Sequence, residues 1–252
     1  MKRKASIVTI ALVVASMILS ACASNTAKTK VRIGTDATWP PFEQVNEQTK
    51  NIEGFDIDLM NAIAAKGGFE VEYVNVGFDP LLAGMAQCSY DAAISSITIT
   101  DERKKSMTFS DPYFAAGQVV TVRADNTDIT SKDNLGGKKV GAQIGTTGVM
   151  EAQKISGTTV KTYDSVDLAY QDLLNGQIDA VVADNPVALG FVGKSSSKLK
   201  TVGNVFTDEN YGVAVCNKNA DLLTKINKGL ADVKAANQID EIAKKWLGTT
   251  TK

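Results

Sequence analysis

Asp91-Ala-Ala-Ile-Ser-Ser-Ile-Thr-Ile-Thr-Asp-Glu-Arg103 begins as protein core and ends as polar chemistry. Ala92 to Ile94 form an apolar run too short for anything but a buried strand. Hydroxyls follow at Ser95, Ser96, Thr98 and Thr100, then a charged helix start at Asp101-Glu-Arg103, and the chain runs on to Phe109-Ser-Asp-Pro-Tyr-Phe114. A core strand whose carboxyl end opens into polar groups is where open α/β sheets place their ligands. Arg103 adds a planar fork of donors that fits a carboxylate bidentately, as lysine cannot. The same residues admit a plainer reading, in which the hydroxyls cap a helix and Arg103 makes a surface ion pair.

Outward from this stretch the chain alternates strand and helix. Val31 to Gly34 reads as a strand, and Phe55, Leu59, Met60 and Ile63 recur at helical spacing until Gly67-Gly68 stops them. Phe69 to Val76 alternates as a half-buried strand, Pro80 to Met85 is helical, and Tyr90 to Ser95 is a strand. Lys138 to Ala142, Val160 to Tyr163 and Ile178 to Ala183 are further strands, with helical patterns near 146–155 and 165–175. Tyr211 to Cys216 is one more strand. Two apolar stripes then close the chain, at Leu222, Leu223, Ile226, Leu230 and Val233 and at Ile239, Ile242, Ala243 and Trp246. This alternation predicts an α/β protein with mainly parallel sheets.

Phe78-Asp-Pro-Leu-Leu-Ala-Gly84 leading to Tyr90-Asp-Ala-Ala-Ile-Ser-Ser96 is echoed by Tyr170-Gln-Asp-Leu-Leu-Asn-Gly-Gln-Ile-Asp-Ala-Val-Val-Ala-Asp184. Each is a helix, a glycine break and an Asp-Ala-apolar strand ending in polar groups. Two such units suggest two lobes sharing one site, although helix–Gly–strand is also a common connection.

The first residues read as an export signal. Lys2-Arg-Lys4 is a positive start, Ala5 to Leu19 carries no charge, and Leu19-Ser-Ala-Cys22 ends the run with small residues. The apolar run is too short for a comfortable membrane span. Residues 23–30 read as a polar tether, and about 220 residues remain, enough for one large or two modest domains. Loss of Lys2, Arg3 and Lys4 takes the formal charge from −1 to −4, and the remaining cations are scattered, so no nucleic-acid face is expected. Histidine is absent, which excludes Ser-His-Asp, Cys-His and His-ligated zinc chemistry. No metal or other cofactor is expected. Cys88 and Cys216 in an oxidising compartment could form a disulfide or remain two buried thiols.

Three further features bear on a site. Gly145-Thr-Thr-Gly148 follows a strand and opens a helix, offering amides and hydroxyls to an anion; without Lys-Ser or Lys-Thr it is no nucleotide loop, and it could be a plain cap. Asp184 ends a strand before Asn185-Pro186, either as a helix N-cap or as a fixed carboxylate. Arg103, the Gly145–Thr147 amides and Asp184 together suit the two ends of a zwitterion, since a desolvated ammonium needs a partner. Trp39 and Phe78, in loops after strands, could clamp a side chain by stacking, while Phe42 is assigned to the core.

Gly34-Thr-Asp-Ala-Thr-Trp-Pro-Pro-Phe42, Gly54-Phe-Asp-Ile-Asp-Leu59, Ser95 to Arg103, Phe109-Ser-Asp-Pro-Tyr113 and Gly141-Ala-Gln-Ile-Gly-Thr-Thr147 resemble the polar amino-acid-binding proteins of bacterial ABC importers, solute-binding protein family 3. The resemblance covers nearly all of residues 31–248. It implies a two-lobed periplasmic-binding-protein-like fold of type II with the ligand cleft between lobes: 31–117 plus 209–252 as lobe 1, and 118–208 as lobe 2. The Leu19-Ser-Ala-Cys22 ending resembles a lipobox, which would make 1–22 the lipoprotein signal peptide with its lipobox cysteine, and Cys22 the acylated first residue of the mature chain.

Carried over position by position, the resemblance implies that Arg103 holds an α-carboxylate with backbone at Thr98 and Thr147. Asp184, Ser96 and Thr98 would hold the α-ammonium, Trp39 and Phe78 would flank the side chain, and Asp36, Ser95 and Gln143 would meet its end. Trp39 departs from the Tyr or Phe usual at its position. The resemblance also implies that the strand from Tyr211 returns antiparallel beside that at 90–96, which would bring Cys216 near Cys88.

The expected function is capture of a free L-amino acid by a monomer at the outer face of the membrane, for delivery to an ABC permease. Asp36 with Trp39 and Phe78 favours arginine or another basic amino acid, while a glutamine amide suits Asp36 and Gln143 as well. The rival from another class is a cyclohexadienyl-dehydratase-like enzyme on the same fold, for which Glu43 and Glu53 are the nearest candidates for a general acid. A receptor's sensory module is not favoured, because no membrane-spanning segment follows Lys252.

Overall fold

Ile33, Ala92 and Val215 lie side by side in one sheet, all fully buried. In the computed structural model, which describes residues 29–195 and 197–248, they come from three strands far apart in the chain. Here β1 (Lys30–Thr35) runs parallel to β5 (Glu70–Asn75) and β6 (Ala92–Ala93). Antiparallel to β6 runs β15 (Ala214–Cys216), with β7 (Met107–Phe109) beyond it, giving the order β5-β1-β6-β15-β7.

Helix α1 (Phe55–Gly67) turns Phe55, Leu59, Met60 and Ile63 inward, carries Asp56 and Asp58 in its first turn, and stops at Gly68 in the left-handed conformation, φ 75°. Helix α2 (Phe78–Ala86) also belongs to this lobe. So do α6 (Ala220–Ala235) and α7 (Gln238–Leu247), which bury the two terminal stripes except Leu223, Ile242 and Trp246, which are half-buried.

The second lobe repeats the plan. Strand β10 (Lys139–Gln143) is parallel to β11 (Thr159–Tyr163) and β12 (Ala180–Asp184). Strand β9 (Gln118–Arg123) runs antiparallel to β12, and β13 (Leu199–Val202) antiparallel to β9, in the order β11-β10-β12-β9-β13. Helices α3 (Thr147–Lys154), α4 (Val166–Leu174) and α5 (Asn185–Lys194) cover it. Val120, Val122, Val140 and Val182 form part of its core.

Between the lobes, β8 (Phe114–Ala116) and β14 (Glu209–Tyr211) pair antiparallel as the two crossing segments. A small sheet of β2 (Thr38–Trp39), β3 (Glu43–Val45) and β4 (Ile52–Glu53) lies beside the first lobe's site loop. Phe42 packs edge-on against Phe55, Phe114 and Tyr211, with ring centroids 5.4, 5.1 and 5.6 Å away, so it is core as expected. Cys88 and Cys216 are joined as a disulfide with Cα atoms 5.1 Å apart.

Several expectations need correction. Each sheet has four of its five strands running one way, with one reversed: β15, as the resemblance implied, in the first sheet and β9 in the second, so that the pairings are half antiparallel. The strand expected over 90–95 contracts to Ala92–Ala93, since Ser96 turns into the left-handed region at φ 49°. The charged helix start is a single 3-10 turn, Arg103–Lys105. The strand expected at 211–216 breaks at Gly212-Val213, one part pairing with β8 and the other entering the first sheet. Trp39 lies in β2 and Phe78 opens α2, not in loops. The signal segment, Cys22 and residues 23–28 of the tether lie outside the described residues. Among those described, no helix is long and apolar enough to cross a membrane.

Candidate functional site

The loop after β6 is held from behind by two carboxyls. Asp56, in the first turn of α1, accepts the Ser96 backbone N–H at 2.7 Å and the Tyr113 hydroxyl at 2.8 Å. Glu43 on β3 accepts the Ser95 hydroxyl at 3.0 Å, and Ser95 Oγ in turn accepts the Asp36 N–H at 2.9 Å. Both carboxyls are fully buried. Burial, then the adjacent Asp56 charge, pushes Glu43 well above the carboxylate range, against the hydrogen bond from Ser95. Burial pushes Asp56 up to about 7, against the pull of the Ser96 amide, Tyr113 and Glu43. This support holds Ser96 in a backbone conformation unfavourable to a non-glycine residue. Its hydroxyl is buried and has no hydrogen-bond partner.

Arg103 reaches across the front of this loop. Its Nη1 donates to the Thr98 carbonyl at 2.7 Å and its Nη2 to the Gly145 carbonyl of the second lobe at 3.0 Å. Its Nε is buried without a partner. The guanidinium lies over the Phe78 ring, 5.4 Å from the centroid. Burial lowers its proton affinity, while Asp184, Glu209 and Tyr211 oppose that shift.

From the second lobe, Gly145 and Thr147 meet Arg103 and Thr98 of the first. Thr146, not Thr147, caps α3 by accepting the Val149 N–H, which leaves Thr147 facing the first lobe. Thr147 Oγ1 lies 3.5 Å from Thr98 Oγ1, and both hydroxyls donate to Glu209 Oε2, at 2.8 and 2.9 Å. Asp184 stands at the N-cap position of α5 but makes no side-chain cap. Its oxygens instead accept from Gln118 Nε2 and the Tyr211 hydroxyl, each at 2.7 Å. Burial, then the nearby Glu209 charge, pushes Asp184 up to about 6.

At the other end, Gln143 Nε2 donates to Asp36 Oδ2 at 2.7 Å and to the Asp164 carbonyl at 2.9 Å, while Trp39 Nε1 donates to Gln143 Oε1. Trp39 and Phe78 stack with centroids 5.8 Å apart. Burial raises Asp36 above its ordinary value, against hydrogen bonds from Gln143 and Thr38, with Asp167 of α4 adding its charge to the rise. The lobes also meet outside the site, where Lys194 Nζ donates to Gln44 Oε1 at 2.9 Å and Gly190 packs on Pro40. Asp36, Trp39, Ser96, Thr98, Arg103, Gln143, Thr147 and Asp184 are all buried in this closed arrangement.

Between the lobes, hydrogen bonds link Arg103, Thr98, Thr147, Glu209, Gln118 and Asp184 at one end and Trp39, Gln143 and Asp36 at the other. The sequence matches the model of the bacterial extracellular solute-binding proteins, family 3, over residues 31–249. The chain belongs to that family. An ancestral arginine-binding protein, solved with arginine and also with glutamine, is 43% identical to this family-3 protein. Its TM-score is 0.83, covering 88% of this chain and 99% of its own. The arginine-, lysine-, histidine-binding protein ArtJ of Geobacillus stearothermophilus is 39% identical, with TM-score 0.83 over 89% of this chain and 97% of its own. A probable histidine-binding protein of Neisseria gonorrhoeae is 34% identical over 252 residues, 94% of this chain and 93% of its own.

Sequence reasoning missed Gln118, at the start of β9, and Glu209, on β14, which tie Asp184, Thr98 and Thr147 together. It also missed the support of Ser95 and Ser96 by Glu43 and Asp56. Ser95 Oγ donates to Glu43 and accepts the Asp36 N–H, so the side chain fixes the Asp36 backbone. Glu53 accepts side-chain hydrogen bonds from Gln44 and Asn46 on the small sheet, away from Arg103 and Asp184. Among the described residues, no group of His, Cys, Asp and Glu could hold a metal ion.

Proposed function

We propose that this protein captures a basic L-amino acid, arginine foremost, between its two lobes and delivers it to the permease of an ABC importer. The observation that carries the reading is the facing pair Arg103 and Asp184, a donor fork and a carboxylate buried on opposite walls of one closed site. Arg103 takes the α-carboxylate with the backbone at Thr98 and Thr147. Asp184, Ser96 and Thr98 take the α-ammonium. Trp39 and Phe78 flank the side chain, and Asp36 with Gln143 receives its end. A cationic tail offsets the cost of keeping Asp36 charged while buried. The relatives named for arginine, lysine and histidine support the basic class.

Residues 31–117 with 209–252 move as one lobe against 118–208, and ligand favours the closed form because only there do both lobes touch it. The protein acts as a monomer outside the cytoplasmic membrane, tethered by lipid on Cys22.

Glutamine is the second reading. It is favoured by Gln143, whose own amide already donates to Asp36 as a ligand amide could, and by the ancestral relative solved with glutamine. The general-acid candidates the rival reading names do not support catalysis: Glu43 is fully buried behind Ser95, and Glu53 is engaged by Gln44 and Asn46.

Calorimetry with arginine, lysine, histidine and glutamine tests the proposal. Arg103→Ala is expected to abolish binding of all four, and Asp36→Ala to lower arginine affinity more than glutamine affinity. Unchanged affinities in both variants overturn the site.

A further inference from the structure

Glu209 belongs to no part of the expected ligand set, yet it sits at the centre of the site. It lies on the crossing strand β14, opposite Ala116 of β8, and is buried. One of its oxygens, Oε1, is fixed by the Thr207 hydroxyl at 2.7 Å. The other, Oε2, receives the hydroxyl protons of Thr98 at 2.9 Å and Thr147 at 2.8 Å, one from each lobe.

A hydroxyl has one hydrogen and two lone pairs. With both protons committed to Glu209, Thr98 and Thr147 can offer a ligand lone pairs only. Thr147 spends one of its pairs on Gln118 Nε2, 3.1 Å away. The same amide nitrogen donates to Asp184 Oδ1 at 2.7 Å, which joins the two acidic groups into one frame. The result is a surface of acceptors: Asp184, the free lone pairs of Thr98 and Thr147, and Glu209 behind them. An ammonium carries three donors and no acceptor, so it fits such a surface. A carboxylate does not, and is left to Arg103 Nε and the backbone amides.

We propose that Glu209 is a positioning residue that makes Thr98 and Thr147 obligate acceptors, and so makes the site select ligands that carry an α-ammonium. This rests on the amino-acid reading above. Holding two carboxylates near each other in a buried place is unfavourable, as the rise at Asp184 reflects, and a cation between them relieves it. Glutamine at position 209 keeps the shape but presents an amide that can donate. One threonine hydroxyl is then free to turn its proton toward the ligand.

The test measures binding to wild type and Glu209→Gln by calorimetry. It uses arginine against 5-guanidinopentanoate, which lacks the α-amine, and glutamine against glutaramate, its counterpart. The expected result is a loss of about tenfold or more for the amino acid that binds, with its amine-free analogue changed less than about twofold. The wild-type preference for the amine then shrinks about tenfold. Equal losses for amino acid and analogue, or an unchanged ratio, overturn the proposal and leave Glu209 a hinge support. Wild type that binds none of the four overturns the amino-acid reading itself. If Glu209→Gln fails to fold, Thr98→Val removes one acceptor and is expected to shrink the same ratio, while an unchanged ratio overturns the proposal.

Discussion

Gly190 on α5 meets Pro40 of the other lobe so closely that a Cβ there would stand 2.7 Å from the Pro40 carbonyl oxygen and 2.8 Å from Pro41 Cδ. Neither atom lies on a flexible side chain, so the lobes must part to admit a methyl group. Within a helix the same change from glycine to alanine favours folding by about 1 kcal/mol. Gly190→Ala is therefore expected to keep or raise the melting temperature while weakening ligand affinity about tenfold or more. X-ray scattering with ligand should show a larger radius of gyration than wild type. Wild-type affinity in the variant would show that the lobes close without this contact.

Arg103 uses two nitrogens for carbonyls of different lobes, Thr98 at 2.7 Å and Gly145 at 3.0 Å. Lysine has one point charge and no fork, so it cannot hold both and also face a carboxylate. Arg103→Lys should weaken amino-acid binding by about a hundredfold or more, with an unchanged circular dichroism spectrum. Binding within about threefold of wild type in titrations would refute a bidentate role.

Asp56 serves three groups at once: the Ser96 amide, the Tyr113 hydroxyl and the Glu43 carboxyl. Asp56→Ala strands all three in the interior and should lower stability by about 3 kcal/mol. Urea unfolding measures that loss. Ligand affinity should fall too, because the left-handed turn at Ser96 loses its anchor.

Asp184 and Asp56 bind protons more tightly folded than unfolded, with values raised from the ordinary 3.8 to about 6 and about 7. Across that window the folded state holds more protons, so stability falls as pH rises from about 4 to 7 and levels off above. Asp184 alone contributes on the order of 3 kcal/mol to this slope. The ligand-free protein should melt higher at pH 5 than at pH 8, and Asp184→Asn should flatten the difference. Amino-acid affinity should change the other way, falling below about pH 6 as Asp184 takes up the proton that displaces its charge. A pH-independent melting temperature would contradict the burial argument.

The hydroxyl run, Arg103, Gly145–Thr147 and Asp184 were legible because each polar group follows an apolar strand, and strand ends meet at a cleft. Asp184 was ambiguous between cap and ligand until its side chain was seen turned from α5 toward Gln118 and Tyr211. Gln118 and Glu209 carried no local signal. Their partners lie far along the chain, such as Thr98, 111 residues before Glu209, and only the crossing of β8 and β14 brings them into the site. Glu43 was read only as a general-acid candidate and Asp56 only as part of a motif; their burial depends on how β3 and α1 pack behind Ser95 and Ser96. The reversal of β9 escaped for a related reason, since strand direction is set by connections and not by hydrophobic period.

Strand β15 lies between β6 and β7, although it follows them in the chain by more than a hundred residues. Until residues 214–216 have emerged, the first sheet is split and β6 and β7 present bare edges. All five strands of the other sheet lie within 118–202, in one uninterrupted segment. A chain threaded through a membrane from its N-terminus can therefore finish its inner segment first, while the earlier-arriving half waits for its missing strand. The order of completion is the reverse of the order of arrival.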